Sequence, residues 1–182
     1  MSEVFDNKKD VAKHGNISLA IESYNDIFSS FDPRGYGERS LSDDFLNECK
    51  KAASEIDENI ELRFMIEKAK RNVSDELKIR RRLKQHFQRH VKIKEKEIHN
   101  LIMKGIYFVI AGIIFMFAAT YLLYTYPEAT LLSSFFVILL EPAGWFSFWE
   151  GLDMIVFEAK KKRPDYEFYK KMSSAEIFFL SY

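Results

Sequence analysis

The chain has 182 residues, a net charge of zero and a single cysteine, Cys49. One cysteine excludes an internal disulfide framework and suits a reducing compartment, and the length allows one modest soluble domain beside a membrane segment. Charged residues make up 30% of the chain, yet residues 105–157 contain neither Lys nor Arg. Charge is therefore strongly segregated along the sequence.

The N-terminal part carries the pattern of a small α+β domain over residues 16–72. Residues 1–15 are polar and aperiodic, and we expect a flexible tail there without a secretory signal. Ile17–Tyr24 and Ile60–Glu67 alternate apolar and polar residues, which predicts two half-buried strands. Between them, apolar residues recur at helical spacing from Ser40 to Ser54.

A long helix is predicted next. Ser74 is the expected N-cap, and no Gly or Pro follows it before Gly105. Apolar residues line one side of this stretch: Ile79, Leu83, Phe87, Val91, Ile98 and Ile102. We expect one helix, or two nearly collinear helices, over Ser74–Tyr124, with residues 73–104 forming a basic cytosolic part.

Two uncharged or nearly uncharged segments follow. Gly105–Tyr126 has no charged residue, and Thr130–Trp149 has one acid and no base. A transmembrane helix needs about 20 apolar residues, so both segments are long enough to span a bilayer. The short turn Pro127–Ala129 then requires an antiparallel hairpin within residues 105–157, with spans at about 105–126 and 130–150. The predicted fold class is a mainly α membrane protein, with this hairpin continuous with the long helix.

The basic residues on both sides of the hairpin predict its orientation and its lipid contacts. No base lies between the spans, so the positive-inside rule places both termini in the cytosol. Anionic lipid headgroups are the expected partner. Nucleic acid is not, because the basic helix offers only Phe87 for stacking. The predicted headgroup contacts are Arg80, Arg81, Arg82, Lys84, Arg89, Lys160, Lys161, Lys162 and Arg163.

The C-terminal segment, residues 158–182, is predicted to end its helix at Lys160–Pro164. Ala175–Tyr182 is rich in aromatic residues and Ile. Such a segment is poorly soluble unless it docks. We expect it to add a strand to the cytosolic sheet, with adsorption to the membrane surface as the alternative.

Glu141 is the principal candidate for a functional residue, because it lies near the middle of the second span. An ionised carboxylate in hydrocarbon is costly, and no base in either span can pair with it. It would be protonated, face a hydrated cavity, bind a cation, or contact Thr120 or another protomer. The alternative is a neutral, hydrogen-bonded structural role. Pro142 and Gly144 predict a kink or break at this depth, and hence a hinge.

Glu150 and Asp153 are the second acidic group, next to the expected interface anchors Trp145 and Trp149. In a symmetric oligomer they would form stacked acidic rings that select cations. Alternatively, they would form ion pairs with Lys104 or Lys160–Lys162.

No catalytic residue, metal site or cofactor site is predicted. His86 and His90 have the i, i+4 spacing of two metal ligands but lack an evident third ligand. Cys49 lies on an apolar helical face and is expected in the core. No Ser-His-Asp arrangement, Gly-rich phosphate loop or zinc-type cysteine pair is present.

Several strings resemble an uncharacterised family of small prokaryotic membrane proteins with two transmembrane helices and a cytosolic α+β domain. These strings are Tyr24–Ser29 with Phe31–Arg34, Leu41–Leu46, Arg82-Leu83 with His86-Phe87, and Trp145 with Trp149-Glu150. Gly151 stands where the family pattern has Pro. The resemblance covers about residues 17–182 and implies architecture only, in a prokaryotic plasma membrane.

Three functions fit these features. The first is a homo-oligomeric scaffold anchored by the hairpin, with the small residues Ala111, Gly112, Ala118 and Ala119 allowing close helix packing. The second is an oligomeric cation channel or ion-flux regulator that uses Glu141, Glu150 and Asp153. The third is a signalling adaptor that binds a cytosolic protein partner.

Overall fold

A computed structural model of the chain describes residues 16–56, 60–128 and 130–182. It divides into two compact units, one combining the chain up to Lys92 with Tyr166–Tyr182, the other formed by Ile93–Asp165. The tail predicted over residues 1–15 lies outside the described residues. The elements are β1 (Asn16–Ala20), a 3-10 helix (Tyr24–Ile27), α1 (Asp43–Ser54), β2 (Glu61–Ile66), a second 3-10 helix (Lys68–Lys70), α2 (Val73–Thr125), α3 (Leu131–Asp153), a π-helical turn (Met154–Glu158), α4 (Ala159–Ser174) and β3 (Glu176–Ser181).

The first unit is built on a parallel sheet of three strands in the order β1-β2-β3. Leu62 of the central strand is paired with Ile17 on one side and with Ile177 on the other. The aromatic C-terminal segment therefore forms an edge strand of the sheet, which is the first of the two placements expected from its composition.

The core of this unit lies against the sheet face that carries Leu62, Phe64 and Ile66, which alternate with half-buried residues along β2. The rings of Phe64 and Phe179 stack at 5.1 Å, and Phe45 of α1 lies 5.9 Å from Phe64. Each such side chain contributes about 1.5–3 kcal/mol by leaving water. Helices α2 and α4 complete the core with Ile79, Leu83, Phe87, Phe168 and Met172. The two predicted strands are present, although β1 ends at Ala20 and not at Tyr24. Of the predicted apolar stripe of the long helix, Ile79, Leu83 and Phe87 are buried.

A buried carboxylate fixes the start of α2 to the first unit. Glu76 accepts hydrogen bonds from Arg71 Nε (2.8 Å) and from the Tyr24 hydroxyl (3.0 Å), which in turn accepts one from Asn72 N (2.9 Å). Burial raises the pKa of Glu76, but the bonds from Arg71 and Tyr24 outweigh it and lower the pKa overall. The helix begins at Val73, with Ser74 N bonded to Asn72 Oδ1, so the prediction of Ser74 as N-cap is wrong.

The second unit is a pair of helices held together by glycines. Gly105 and Gly112 lie seven residues apart on α2, and Gly144 and Gly151 lie seven apart on α3. A Cβ at Gly112 would lie 2.6 Å from Phe148 N and 2.7 Å from Gly144 O, and one at Gly151 would lie 2.7 Å from Val109 N. Only glycine allows the two backbones to approach this closely.

Both helices of the hairpin are long and apolar enough to cross a membrane. Only 11% of the most apolar window of the first helix is buried, and 6% of that of the second. Large apolar side chains therefore cover the outside of the pair, among them Phe117, which is 72% exposed, and Leu131, which is 93% exposed.

Two predictions about helix ends are wrong. Pro142 and Gly144 lie inside α3, which continues to Asp153, so the helix is not broken at this point. Gly144 is instead packed on Gly112 and Met116. The helix does not end at Lys160–Pro164 either, since α4 continues to Ser174. Burial of Phe168 and Met172 in the core of the first unit outweighs the hydrogen bond lost at Pro164.

The glycine contact predicts that Gly112→Leu destabilises the hairpin. Its side chain would meet backbone atoms of α3, which cannot rotate away, and overpacking of this kind costs about 1–3 kcal/mol. Trp145 and Trp149, the two tryptophans of the chain, both lie on α3. Tryptophan fluorescence during thermal unfolding in mild detergent should therefore show a lower midpoint. Ile114→Leu, two residues away and outward-facing, is the matched control; equal midpoints for the two variants would contradict the contact.

Candidate functional site

A groove of about 580 Å³ opens on the hairpin surface between α2 and α3. From α2 it is lined by Met116, Ala119, Thr120 and Leu123, and from α3 by Glu141, Pro142 and Trp145. The groove is thus mainly apolar, with one carboxyl group and one hydroxyl group.

Glu141 is exposed in this groove, and no hydrogen bond or ion pair joins it to another residue of the described ranges. Thr120 shares the groove, but its hydroxyl donates to Met116 O at 2.9 Å, within its own helix. The bond between Thr120 and Glu141 considered above is therefore not formed. The hydrogen-bonded structural role for Glu141 is likewise not observed. The carboxyl group is available to a partner from outside the hairpin.

Trp145 extends the groove by one turn of α3. Residues four apart lie on one face of a helix, so the carboxyl group of Glu141 and the indole of Trp145 are neighbours on that face. Trp145 is 58% exposed, and its ring lies 5.9 Å from that of Trp149 in an edge-to-face arrangement. The face of α3 therefore presents an acid followed by two aromatic rings.

Glu150 and Asp153 do not belong to this face. Glu150 is nine residues after Glu141, or about two and a half turns of an unbroken helix, so it points to the opposite side. Among the described residues, neither acid forms the expected ion pair with Lys104 or Lys160–Lys162. Lys161 pairs with Glu158 instead, and Lys162 lies 3.8 Å from Glu97. The three acids therefore do not form one line along α3.

The predicted headgroup-binding residues fall into three groups, and the first consists of Lys161 and Lys162, which are paired with Glu158 and Glu97. Arg80 lies with its guanidinium 5.8 Å from the Phe179 ring, and Arg82 Nε donates to Arg39 O at 2.9 Å. Both are therefore engaged in contacts within the first unit. Within the described ranges no hydrogen bond or ion pair involves Arg81, Lys84, Arg89, Lys160 or Arg163, and these are the basic side chains left for an anionic surface.

The rings of His86 and His90 are tilted by 31° to each other, with centroids 4.2 Å apart, and His90 stacks on Tyr169 at 4.9 Å. Burial, helped by His90, Arg82 and Arg89, lowers the pKa of His86 from 6.5 to about 4. Its buried Nε2 has no hydrogen-bond partner. No group of three or more His, Cys, Asp or Glu that could hold a metal ion occurs in the described part of the chain.

Cys49 is fully buried in the core of the first unit. Burial raises the pKa of its thiol to about 12, which leaves it uncharged at neutral pH. A thiol of this kind is not a nucleophile.

Two features of the hairpin were missed in the sequence. The glycines at seven-residue spacing are visible as a pattern in both spans, but their pairing becomes evident only once the helices are aligned antiparallel. The sequence suggests Thr120 only as a partner for Glu141. In the structure Thr120 lines the same groove as Met116 and Trp145.

No family model matches the chain, and no curated protein or solved structure matches it either. The resemblance to small prokaryotic membrane proteins therefore stays a prediction.

The buried His86 predicts that the first unit loses stability in mild acid. The folded state disfavours protonation of His86, because the pKa of its imidazole is about 4 in the folded state and 6.5 in the unfolded state. The stabilisation is therefore complete above pH 6.5, declines as the pH falls from 6.5 to 4, and is absent below. Urea titrations followed by circular dichroism over this range should show the decline, and His86→Gln should flatten it. His99→Gln, at an exposed site on the same helix, is the control; an unchanged slope in His86→Gln would contradict the assignment.

Proposed function

We propose that the chain is an integral membrane protein whose helical hairpin anchors a cytosolic α/β domain, and that its copies assemble into a homo-oligomeric scaffold. The observation that carries the anchor is the exposure of the hairpin. A helix in the core of a soluble protein is mostly buried, whereas the apolar windows of these two helices are 11% and 6% buried. An apolar surface this extensive needs a partner other than water, and the hydrocarbon of a bilayer covers all sides of the pair.

The sheet of the first unit contains strands from both sides of the hairpin, which supports a topology with both termini on the same side of the membrane. Its sheet takes β1 and β2 from before the hairpin and β3 from after it. Strands that share a sheet must lie on the same side of a membrane, so the chain crosses an even number of times. The bases flanking the hairpin, and their absence within residues 105–157, assign that side to the cytosol. Arg81, Lys84, Arg89, Lys160 and Arg163 would then meet anionic headgroups of a prokaryotic plasma membrane.

Self-association is supported by the small residues that the hairpin leaves accessible. Gly112 and Ala119 are buried within the hairpin, and the close packing at Gly112 is with Gly144 and Phe148 of the same chain. Ala111 and Ala118 are half-buried and lie seven residues apart on α2. Small side chains at this spacing allow a helix of a second copy to approach closely.

A cation channel is the less favoured function. A pore lined by Glu141, Glu150 and Asp153 requires the acids to face one axis, but Glu141 and Glu150 lie on opposite sides of α3. An adaptor would use the same anchor and differ only in a protein bound to the cytosolic unit.

Extraction and mass measurements test the anchor and the scaffold separately. We expect the full chain to stay in the membrane pellet after alkaline carbonate treatment, because both spans are held by hydrocarbon. Native mass spectrometry in nanodiscs should then give one defined oligomer. Release into the carbonate supernatant would contradict the anchor. A monomer that stays in the pellet would contradict the scaffold alone.

A further inference from the structure

The groove around Glu141 has the size and lining of a small-molecule site. Its volume of about 580 Å³ falls within the range of ligand pockets, about 300–1,000 Å³. Glu141 is the eleventh residue of α3, about 15 Å from the start of the helix, which is near the midplane of a bilayer about 30 Å thick. Any ligand of this groove therefore arrives through hydrocarbon.

The carboxyl group of Glu141 favours a positively charged ligand in the groove. Glu141 is the one ionisable group in the lining, and residues 105–157 contain no Lys or Arg to neutralise it. A carboxylate at this depth is costly unless it is protonated, hydrated or paired. A cation that enters the groove provides the missing counter-charge.

The apolar walls decide which kind of cation fits. Ca²⁺ takes six to eight oxygen ligands and Mg²⁺ six, whereas the groove offers two oxygen-bearing side chains, Glu141 and Thr120. A hydrophobic organic monocation brings its own apolar shell and needs a single counter-charge. Met116 and Leu123 provide the apolar contact surface for such a shell.

Trp145 adds a second contact suited to a positive charge. Its indole is 58% exposed and lies one helical turn from Glu141 on the same face. Cations are attracted to the face of an indole ring, most strongly where water is excluded. On these grounds, and resting on the membrane insertion proposed above, we propose that the groove binds hydrophobic organic monocations of the quaternary ammonium or phosphonium type, with Glu141 as counter-ion and Trp145 as aromatic wall.

Binding of radiolabelled tetraphenylphosphonium to the full chain in nanodiscs tests this site. After subtraction of partitioning into empty nanodiscs, we expect saturable binding. Glu141→Gln should weaken binding at least about tenfold, since the substitution removes the counter-charge and preserves the shape of the side chain. Trp145→Ala should weaken binding by about tenfold. Glu150→Gln, which changes the same residue type outside the groove, should leave the affinity unchanged. Triphenylphosphine oxide, an uncharged aromatic analogue, should not compete.

Three results would overturn the proposal. The first is equal binding by Glu141→Gln and the unaltered chain. The second is an equal loss of affinity in Glu141→Gln and Glu150→Gln. The third is no saturable binding, together with a change in oligomer mass in Glu141→Gln, which would assign the groove to a second copy of the chain. Failure of the chain to enter nanodiscs would overturn the anchor and the site together, whereas an inserted chain that does not bind would overturn the site alone.

Discussion

The pairing of β3 with β2 is the constraint on which the arrangement of the chain depends. It joins a strand that precedes the hairpin to one that follows it, so the first unit cannot be completed until the whole hairpin has been made. The contact between α4 and the segment after α1 acts in the same way, since Lys171 Nζ donates to Ile56 O at 2.7 Å. The core around Phe64, Phe87 and Phe168 likewise draws on both flanks. The chain must therefore enter and leave the hairpin next to the same sheet.

The features that depend on local periodicity could be predicted from the sequence. Alternation along β2 and four-residue spacing along α2 indicated the buried faces, because burial of one face imposes these periods. The aromatic C-terminal strand was predicted because an exposed apolar segment needs a partner. Its parallel pairing and its position beside β2 depend on contacts distant in sequence, which no single segment reveals.

The wrong predictions have a common physical cause. Pro142 and Pro164 each remove a backbone donor, and this local cost predicts a helix break, yet α3 and α4 continue through them. Packing follows each proline, with Gly144 against Met116 after Pro142 and Phe168 buried after Pro164. Ser74 was chosen as N-cap by residue type, whereas the buried contacts among Tyr24, Arg71 and Glu76 place the start of α2 after Asn72. In each case, a distant contact overrides a local preference.

The hairpin combines a tight inner contact with an open outer surface. Glycines at seven-residue spacing bring the backbones of α2 and α3 together in the half of the hairpin that is farther from its turn. Further along the pair, at Ala119 and Met116, the seam widens into the groove that exposes Glu141. Close packing and an accessible acid are thus neighbouring features of one pair of helices.

Site-directed labelling with a membrane-impermeant maleimide tests the central claim, a double crossing with both flanks on the cytosolic side, most directly. In a Cys49→Ala background, single cysteines would be placed in turn as Lys84→Cys, Glu128→Cys and Lys160→Cys in the chain expressed in a bacterial plasma membrane. The account predicts that Glu128→Cys reacts in intact spheroplasts, while Lys84→Cys and Lys160→Cys react only after the membrane is permeabilised. Equal labelling of all three cysteines in intact spheroplasts would contradict the account. So would a result in which no cysteine is labelled in intact spheroplasts and all three are labelled after permeabilisation.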